Sequence, residues 1–235
     1  MVMGPDRLAG AIEMMDLPDA DPAELARTLS DLAWINRWLG GSRLVCRHLS
    51  RLLEDRATSL RILDVATADA DIPRAILRWG RRRNLSIEIE AVDHHDQILR
   101  LARQRSTAYP EIRVRNADAL SLPYPEGSFD IVIASLVLHH MEGEDQVRLL
   151  RELYRVARRA VLVNDLRRGY WPFVVTWASL HALSRSRLIL HDGPLSVRRA
   201  FLPEELLALA RGAGWTRTRV SRHAFFRLAL VGEKS

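Results

Sequence analysis

The sequence predicts an α/β protein: a seven-stranded, mostly parallel sheet, doubly wound by helices and preceded by an N-terminal helical cap. Three observations predict it. Short strand-length runs, Ile62–Ala66, Ile87–Val92, Ile112–Arg115, Phe129–Ser135 and Ala160–Val163, alternate with amphipathic segments of helical spacing. The first run passes through a turn of small residues straight into a helix start, as in the first βα unit of such a sheet. The chain then closes as helix, strand, strand, with Pro203–Ala213 followed by Trp215–Arg222 and Phe226–Val231. This last pair reads as a hairpin, although no tight-turn dipeptide joins it.

Taken in order, residues 1 to about 20 carry Pro5 and Pro18 with little periodicity and read as a loose arm. Asp21 is an N-cap for a helix that begins at Pro22, with Leu25, Leu29, Leu32, Ile35 and Leu39 at helical spacing and Gly40-Gly41 ending it. A second amphipathic helix runs from about Ser42 to Glu54. Residues 1–58 are thus an arm and cap, and 59–235 the sheet domain. After Ile62–Ala66, Asp71 caps the next helix and Pro73 sits in its first turn, where a missing N–H costs nothing. Ile87–Val92 ends in Asp93, followed by a helix over His95–Gln104. Phe129–Ser135 is apolar enough to be central and buried on both faces. Gln146–Ala157 is amphipathic, and Ala160–Val163 leads to Asn164-Asp165. Trp171–Leu183 is largely apolar and opens a helical insert over about 170–200 that folds over the pocket. Within the insert, His191–Phe201 reads as a polar loop, because Asp192-Gly193 makes a turn.

Composition sets limits. No run approaches the ~18 apolar residues of a membrane span, and Met1-Val-Met-Gly-Pro-Asp6 lacks the basic-then-apolar pattern of a signal peptide. Cys46 is the sole cysteine, which excludes an intrachain disulfide and suits a reducing cytoplasm. The net charge of +6 rests on arginine, since Lys234 is the only lysine. These arginines are scattered without a basic block, so a solvated surface is favoured over nucleic-acid binding. A GC-rich bacterial genome accounts for the bias as readily as a functional demand does.

The turn after the first strand, Asp64-Val-Ala-Thr-Ala-Asp-Ala-Asp71, concentrates negative charge where the ligands of doubly wound sheets bind. That charge would repel a pyrophosphate and welcome a cation. The segment resembles the first motif of class I S-adenosylmethionine (SAM) methyltransferases, in particular the type 11 small-molecule enzymes similar to those of ubiquinone and menaquinone biosynthesis. Their motif is an acidic residue followed by alternating glycines. Here Ala66, Ala68 and Ala70 replace the glycines. Either the Ala68 methyl crowds the cofactor from glycine's conformation, which is the favoured expectation, or the turn relaxes to negative φ.

Asn116-Ala-Asp118-Ala119-Leu-Ser-Leu-Pro123-Tyr124 resembles a further segment of this Rossmann-like family. The resemblance implies a last strand that enters the sheet antiparallel and SAM as the cofactor. Asp64, Ala66, Ala68, Asp93, His94, Asp118, Ala119 and Ser135 would line the cofactor, Asp93 on the ribose and Asp118 on the adenine amino group. A carboxylate can accept from both hydroxyls of a vicinal diol, so the residue type suits the first role. Asn36, Arg37, His140, Asp165, Arg167 and Trp177 are candidate substrate contacts. His139 and His191 are candidate bases, because imidazole titrates near neutrality; no residue is assigned to a metal. The expected activity is methyl transfer to a small aromatic, polyketide-like or quinone-like acceptor, on oxygen or carbon. A non-methylating relative with a degenerate loop and an RNA methyltransferase are the alternatives. The Asp/Asn-Pro-Pro-Tyr/Phe element of base-modifying amino methyltransferases is absent.

Overall fold

The computed structural model describes residues 7–11, 13–14, 21–38, 40–53, 59–184 and 186–234. Seven strands form one sheet: β1 (Ser59–Val65), β2 (Ser86–Asp93), β3 (Ile112–Asn116), β4 (Phe129–Ser135), β5 (Ala157–Leu166), β6 (Arg217–His223) and β7 (Arg227–Glu233). Their order is β3-β2-β1-β4-β5-β7-β6, and only β7 runs antiparallel to its neighbours. The strand order reverses between β1 and β4, so a crevice opens at the carboxyl ends of these two strands.

Among the described residues, eight helices accompany the sheet: α1 (Pro22–Trp38), α2 (Gly41–Leu52), α3 (Asp71–Arg81), α4 (Asp96–Arg105), α5 (Glu144–Val156), α6 (Tyr170–Leu183), α7 (Arg187–Arg199) and α8 (Pro203–Gly212). The period of two along the strands divides the core. Leu63, Val132, Ala134, Val161 and Val163 pack with Leu149 and Leu153 of α5 and Leu206 of α8. Their neighbours Ile62, Ile131, Ile133 and Leu162 pack with Leu44 and Leu49 of α2 and Ile72 and Ile76 of α3 on the opposite face. Burial on both faces is why these strands are continuous apolar runs in the sequence. The cap helix α1 seats Leu25 and Leu29 on Ile98 of α4.

Two segments differ from expectation. The polar loop foreseen over His191–Phe201 is mostly helix, since α7 continues through Gly193 and Pro194 to Arg199. Ser186 caps it, accepting from the Ile189 N–H at 3.4 Å. A Cβ on Gly193 would stand 2.1 Å from Leu180 Cδ1, so tight packing of α6 on α7 selects glycine there, not a turn. The closing hairpin is tight after all. Three residues, Ala224, Phe225 and Phe226, join the paired His223 and Arg227, and the last two have positive φ, although neither is the usual Asn or Gly. The Arg167 N–H donates to Phe226 O at 2.7 Å and its guanidinium lies 5.7 Å from the Phe226 ring centre, which holds the turn.

The cap is joined to the sheet edge by a histidine pair. His48 of α2, nearly fully buried, meets His223 of β6 with Nε2 atoms 3.0 Å apart. Burial, and then the charge of His223, pushes His48 down to about 4, and burial also lowers His223. Both are therefore neutral when folded but protonate near pH 6.5 when unfolded. Their contribution is complete above about pH 6.5 and is lost as pH falls toward 4. His48→Gln should accordingly lose about 1–2 kcal/mol less stability than the parent between pH 7 and 5. Urea unfolding at both pH values checks this, and equal losses in the two proteins would refute it.

Candidate active site

The carboxyl edge of the sheet gathers the polar residues. After β1 the chain turns through Ala66, Ala68 and Ala70, all left-handed with φ of 55°, 49° and 61°. The turn has kept glycine's conformation and has not relaxed to negative φ. It is held from outside. The Thr67 N–H donates to Val92 O at 2.9 Å, the Ala68 N–H to Asp93 Oδ2 at 3.1 Å, and Thr67 Oγ1 to Asp64 Oδ2 at 2.6 Å. The Ala68 side chain packs toward the Leu25–Leu29–Ile98 cluster.

A left-handed alanine costs about 1–2 kcal/mol, and glycine returns only about 0.4–1 kcal/mol of that through the unfolded chain. Ala66→Gly and Ala68→Gly should each raise stability by about 0.5–1 kcal/mol. Ala70→Gly should be close to neutral, because its fully buried methyl group contributes about 0.8 kcal/mol. Denaturation midpoints of the three single variants test the ranking; destabilisation by all three would show that the turn gains from the methyl groups.

Three buried carboxylates surround this turn. Burial pushes Asp64 up to about 7, opposed by the Thr67 hydroxyl and assisted by the charges of Asp71 and Asp93. Burial and Asp69 push Asp71 up to about 6. Burial raises Asp93 as well, against the N–H groups of His95 and Ala68. Asp69 is neutralised separately by Arg74 and Arg105. A bound cation would favour the ionised forms of the first three, so its binding would release protons.

Asp71 begins a polar chain that crosses the molecule. Its carboxylate bonds the Asn36 side chain, and Asn36 Oδ1 accepts from Arg227 Nη2 at 2.8 Å. Arg227 opens β7 and is buried, which lowers it to about 10 while Asp165 and Asp71 hold it up. Seven buried side-chain atoms lack a partner among the described residues. Five of them, Asp71 Oδ2, His95 Nδ1, Gln97 Oε1, Asn164 Oδ1 and Arg227 Nη1, belong to residues on this sheet edge or in the helices that leave it. Unpartnered donors and acceptors so concentrated are what a polar ligand would satisfy.

Beyond β4 a single 3₁₀ turn, Leu138–His140, carries the histidine pair. His139 Nδ1 lies 2.6 Å from Asp165 Oδ1, and Asp165 also accepts the backbone N–H groups of His139 and Leu166. Burial alone would raise Asp165, but the His139 charge and hydrogen bond hold it below the ordinary carboxylate range. Asp165 therefore orients the His139 ring through Nδ1, with Nε2 on the far side of the ring.

The structure assembles most of the predicted residues at this edge, with exceptions. Ser135 faces Asn164 at 3.5 Å. Asp118 is exposed and caps its own turn, accepting from the Leu120 N–H at 2.8 Å, with Ala119 packed beneath it against the core. His94 is largely exposed, with Nδ1 3.7 Å from Asp93. Asn36 is taken up by the Arg227 chain, and the Arg37 side chain lies outside the described residues. Arg167 is spent on the Phe226 turn. Trp177 is half exposed, with its ring 4.5 Å from that of His181. His191 stands on α7, more than half exposed, and pairs with its neighbour Asp192 at 2.8 Å. Sequence reasoning missed Arg227 and Glu13. Arg227 had one signal, an arginine opening an otherwise apolar strand.

Residues 63–163 match the family model described as methyltransferase domain. Among curated relatives, a malonyl-[acyl-carrier protein] O-methyltransferase of Halorhodospira halophila is 36% identical over 57% of this chain and 47% of its own. A demethylmenaquinone methyltransferase of Thermus thermophilus is 35% identical over 41% of each chain. The chain thus spans less than half the length of either relative. Among solved structures, a SAM-dependent methyltransferase of Aquifex aeolicus shares the fold, with a TM-score of 0.63 at 16% identity over 91% of this chain and 98% of that one. The strand order, the acidic turn and the matched segment agree: residues 63–163 match a methyltransferase domain, and the fold is that of a SAM-dependent methyltransferase of known structure.

Proposed function

We propose that this chain transfers a methyl group from SAM to a small aromatic, polyketide-like or quinone-like acceptor whose reacting atom carries an acidic proton. One observation carries the reading: a cradle of three carboxylates and the His139–Asp165 pair share one sheet edge. The residues fit the cofactor. Asp64, Asp71 and Asp93 suit its positive charge, and the unpartnered donors and acceptors at this edge suit its amino-acid end and ribose. A turn that keeps glycine's conformation supports retained binding over the non-methylating alternative. The names of relatives that include an O-methyltransferase and a quinone methyltransferase support the acceptor class.

When bound, SAM supplies a methyl group already activated on a sulfonium. The protein's part is to align the acceptor and exclude water. Asp165 fixes the His139 tautomer so that Nε2 can take the acceptor's proton, and the buried surroundings of both residues keep that proton from exchanging with solvent. Asp93 would hold the ribose, with Asp118 and Ala119 beside the adenine. His191, exposed on α7, is not given a role in the transfer.

The test is isothermal titration with SAM, followed by incubation with phenols, polyketide-like enols and reduced quinones. The product mixture is read by mass spectrometry for a methylated acceptor and S-adenosylhomocysteine in equal amounts. Absence of SAM binding would end this reading. Binding with methyl transfer only to RNA would replace the acceptor class.

A further inference from the structure

The two histidines at the end of β4 have a third partner that the proposed reaction does not use. Glu13, from the segment preceding α1, is 2% exposed, and one of its oxygens faces each imidazole: Oε1 is 3.7 Å from His139 Nε2, and Oε2 is 3.7 Å from His140 Nε2. Three ligand atoms, one from each residue, lie within 4.8 Å of one another. Asp165 holds His139 through Nδ1, which turns Nε2 toward the Glu13 carboxylate. At 3.7 Å the pair is too long for a hydrogen bond. Two imidazole nitrogens and a carboxylate thus converge on one spot.

We propose that Glu13, His139 and His140 form a binding site for a divalent d-block ion of the zinc class. Two imidazoles and one carboxylate are the three-ligand set of an open zinc site, whereas Mg²⁺ and Ca²⁺ prefer oxygen donors throughout. Bonds of about 2.1 Å put tetrahedral ligand atoms about 3.4 Å apart, so the two Glu13–imidazole gaps of 3.7 Å need to close by a few tenths of an ångström if both carboxylate oxygens bind, and the widest gap of the three-atom set by about 1 Å if only one does. The supporting shell is already built. Asp165 receives the far nitrogen of His139, the orienting contact that metal-bound histidines use. Ser196 Oγ donates to Glu13 Oε1 at 2.8 Å. Buried Arg199 donates to the carbonyl oxygens of His139 at 3.0 Å and His140 at 2.8 Å, which fixes the turn.

The role of the ion rests on the proposed function. Its open position would take the acceptor's hydroxyl oxygen, the proton leaving to water and the oxygen keeping the electron pair that receives the methyl. In the loaded protein the ion, not His139 Nε2, would thus activate the acceptor.

The test needs neither SAM nor acceptor, so its failure is separate from failure of methyl transfer. Chelator-treated full-length protein is titrated with Co²⁺, followed by its visible d–d absorption, and Zn²⁺ is then used as competitor. One equivalent of Co²⁺ should give the intense bands of a four- or five-coordinate site and be displaced by Zn²⁺. Glu13→Gln, which keeps the shape and the Ser196 contact, and His140→Ala should each weaken binding at least tenfold, and Asp165→Asn about 10–100-fold. Unchanged circular dichroism and thermal midpoint would show that Glu13→Gln remains folded. No saturable band in the parent protein, or an unchanged affinity in folded Glu13→Gln, would overturn the site.

Discussion

Arg227→Met should destabilise the protein by about 1–3 kcal/mol, the range for leaving a buried hydrogen-bond partner unsatisfied. Arg227 is 3% exposed, bonds Asn36 at 2.8 Å, and is held in its charged form by Asp165 and Asp71. Methionine fills much of the stem's volume, so lost packing is a minor part of the effect. The larger part is that buried Asn36 Oδ1 loses its donor, while Asp165 and Asp71 lose a nearby positive charge. Because Asn36 belongs to α1 and Arg227 to β7, the same change should loosen the cap from the sheet. Gly41→Ala probes the geometry without touching the charge. Its Cβ would stand 2.9 Å from Asn36 Oδ1 and 3.2 Å from Arg227 Cζ, and overpacking of this kind costs about 1–3 kcal/mol. Urea midpoints at unchanged slope measure both variants. A loss below about 1 kcal/mol in Arg227→Met would show that Asn36 does not depend on this guanidinium.

The sheet was readable in the sequence because its central strands are buried on both faces, which leaves apolar runs such as Phe129–Ser135 unbroken. The βα turn was readable through Pro73, which sits in the first turn of α3, but Asp71 is the first helical residue and not the expected N-cap: left-handed Ala70 holds that place without a side-chain cap, and the Asp71 carboxylate goes to Asn36. Asp93 was readable by position, at the end of the second strand. What local signals cannot report is partnership across the chain. Asp192-Gly193-Pro194 has the composition of a turn, yet contact between Gly193 and Leu180 of α6 keeps the segment helical. Arg167 is a polar residue at a strand end, as a substrate contact would be, but Phe226 on the neighbouring hairpin claims it. The pairing of His139 with Asp165 joins two strand ends, each of which the sequence marked for a different role. Glu13 lies in a segment without periodicity, and only the folded chain brings it to the histidines.

Asp93→Ala should lower SAM affinity about tenfold or more and also cost about 2–4 kcal/mol of stability, because the carboxylate has two employments. Within the protein, Oδ2 accepts from the Ala68 N–H and Oδ1 from the His95 N–H, both at 3.1 Å. These contacts tie the turn after β1 to the start of α4. Alanine leaves both N–H groups without their acceptor, at about 1–3 kcal/mol each where water cannot reach them. Toward the ligand, the remaining lone pairs are the acceptors proposed for the ribose diol, and a hydrogen bond to a charged group contributes about 1.5–3 kcal/mol. Asp93→Asn separates the two employments. Its amide oxygen can still receive one backbone N–H, while its NH₂ would face the other, so about half of the stability loss should remain. Asn also mimics the protonated carboxyl that burial favours, and so tests whether the cofactor needs the charge. Asp118→Ala is the exposed comparison; it releases only the Leu120 N–H and should lower affinity with little change in stability. Paired SAM titrations and unfolding curves on the three variants decide the matter. Should Asp93→Ala lose stability but keep its SAM affinity within about twofold, a loss of under 0.5 kcal/mol, then Asp93 only braces the turn, and the ribose must be held by other groups.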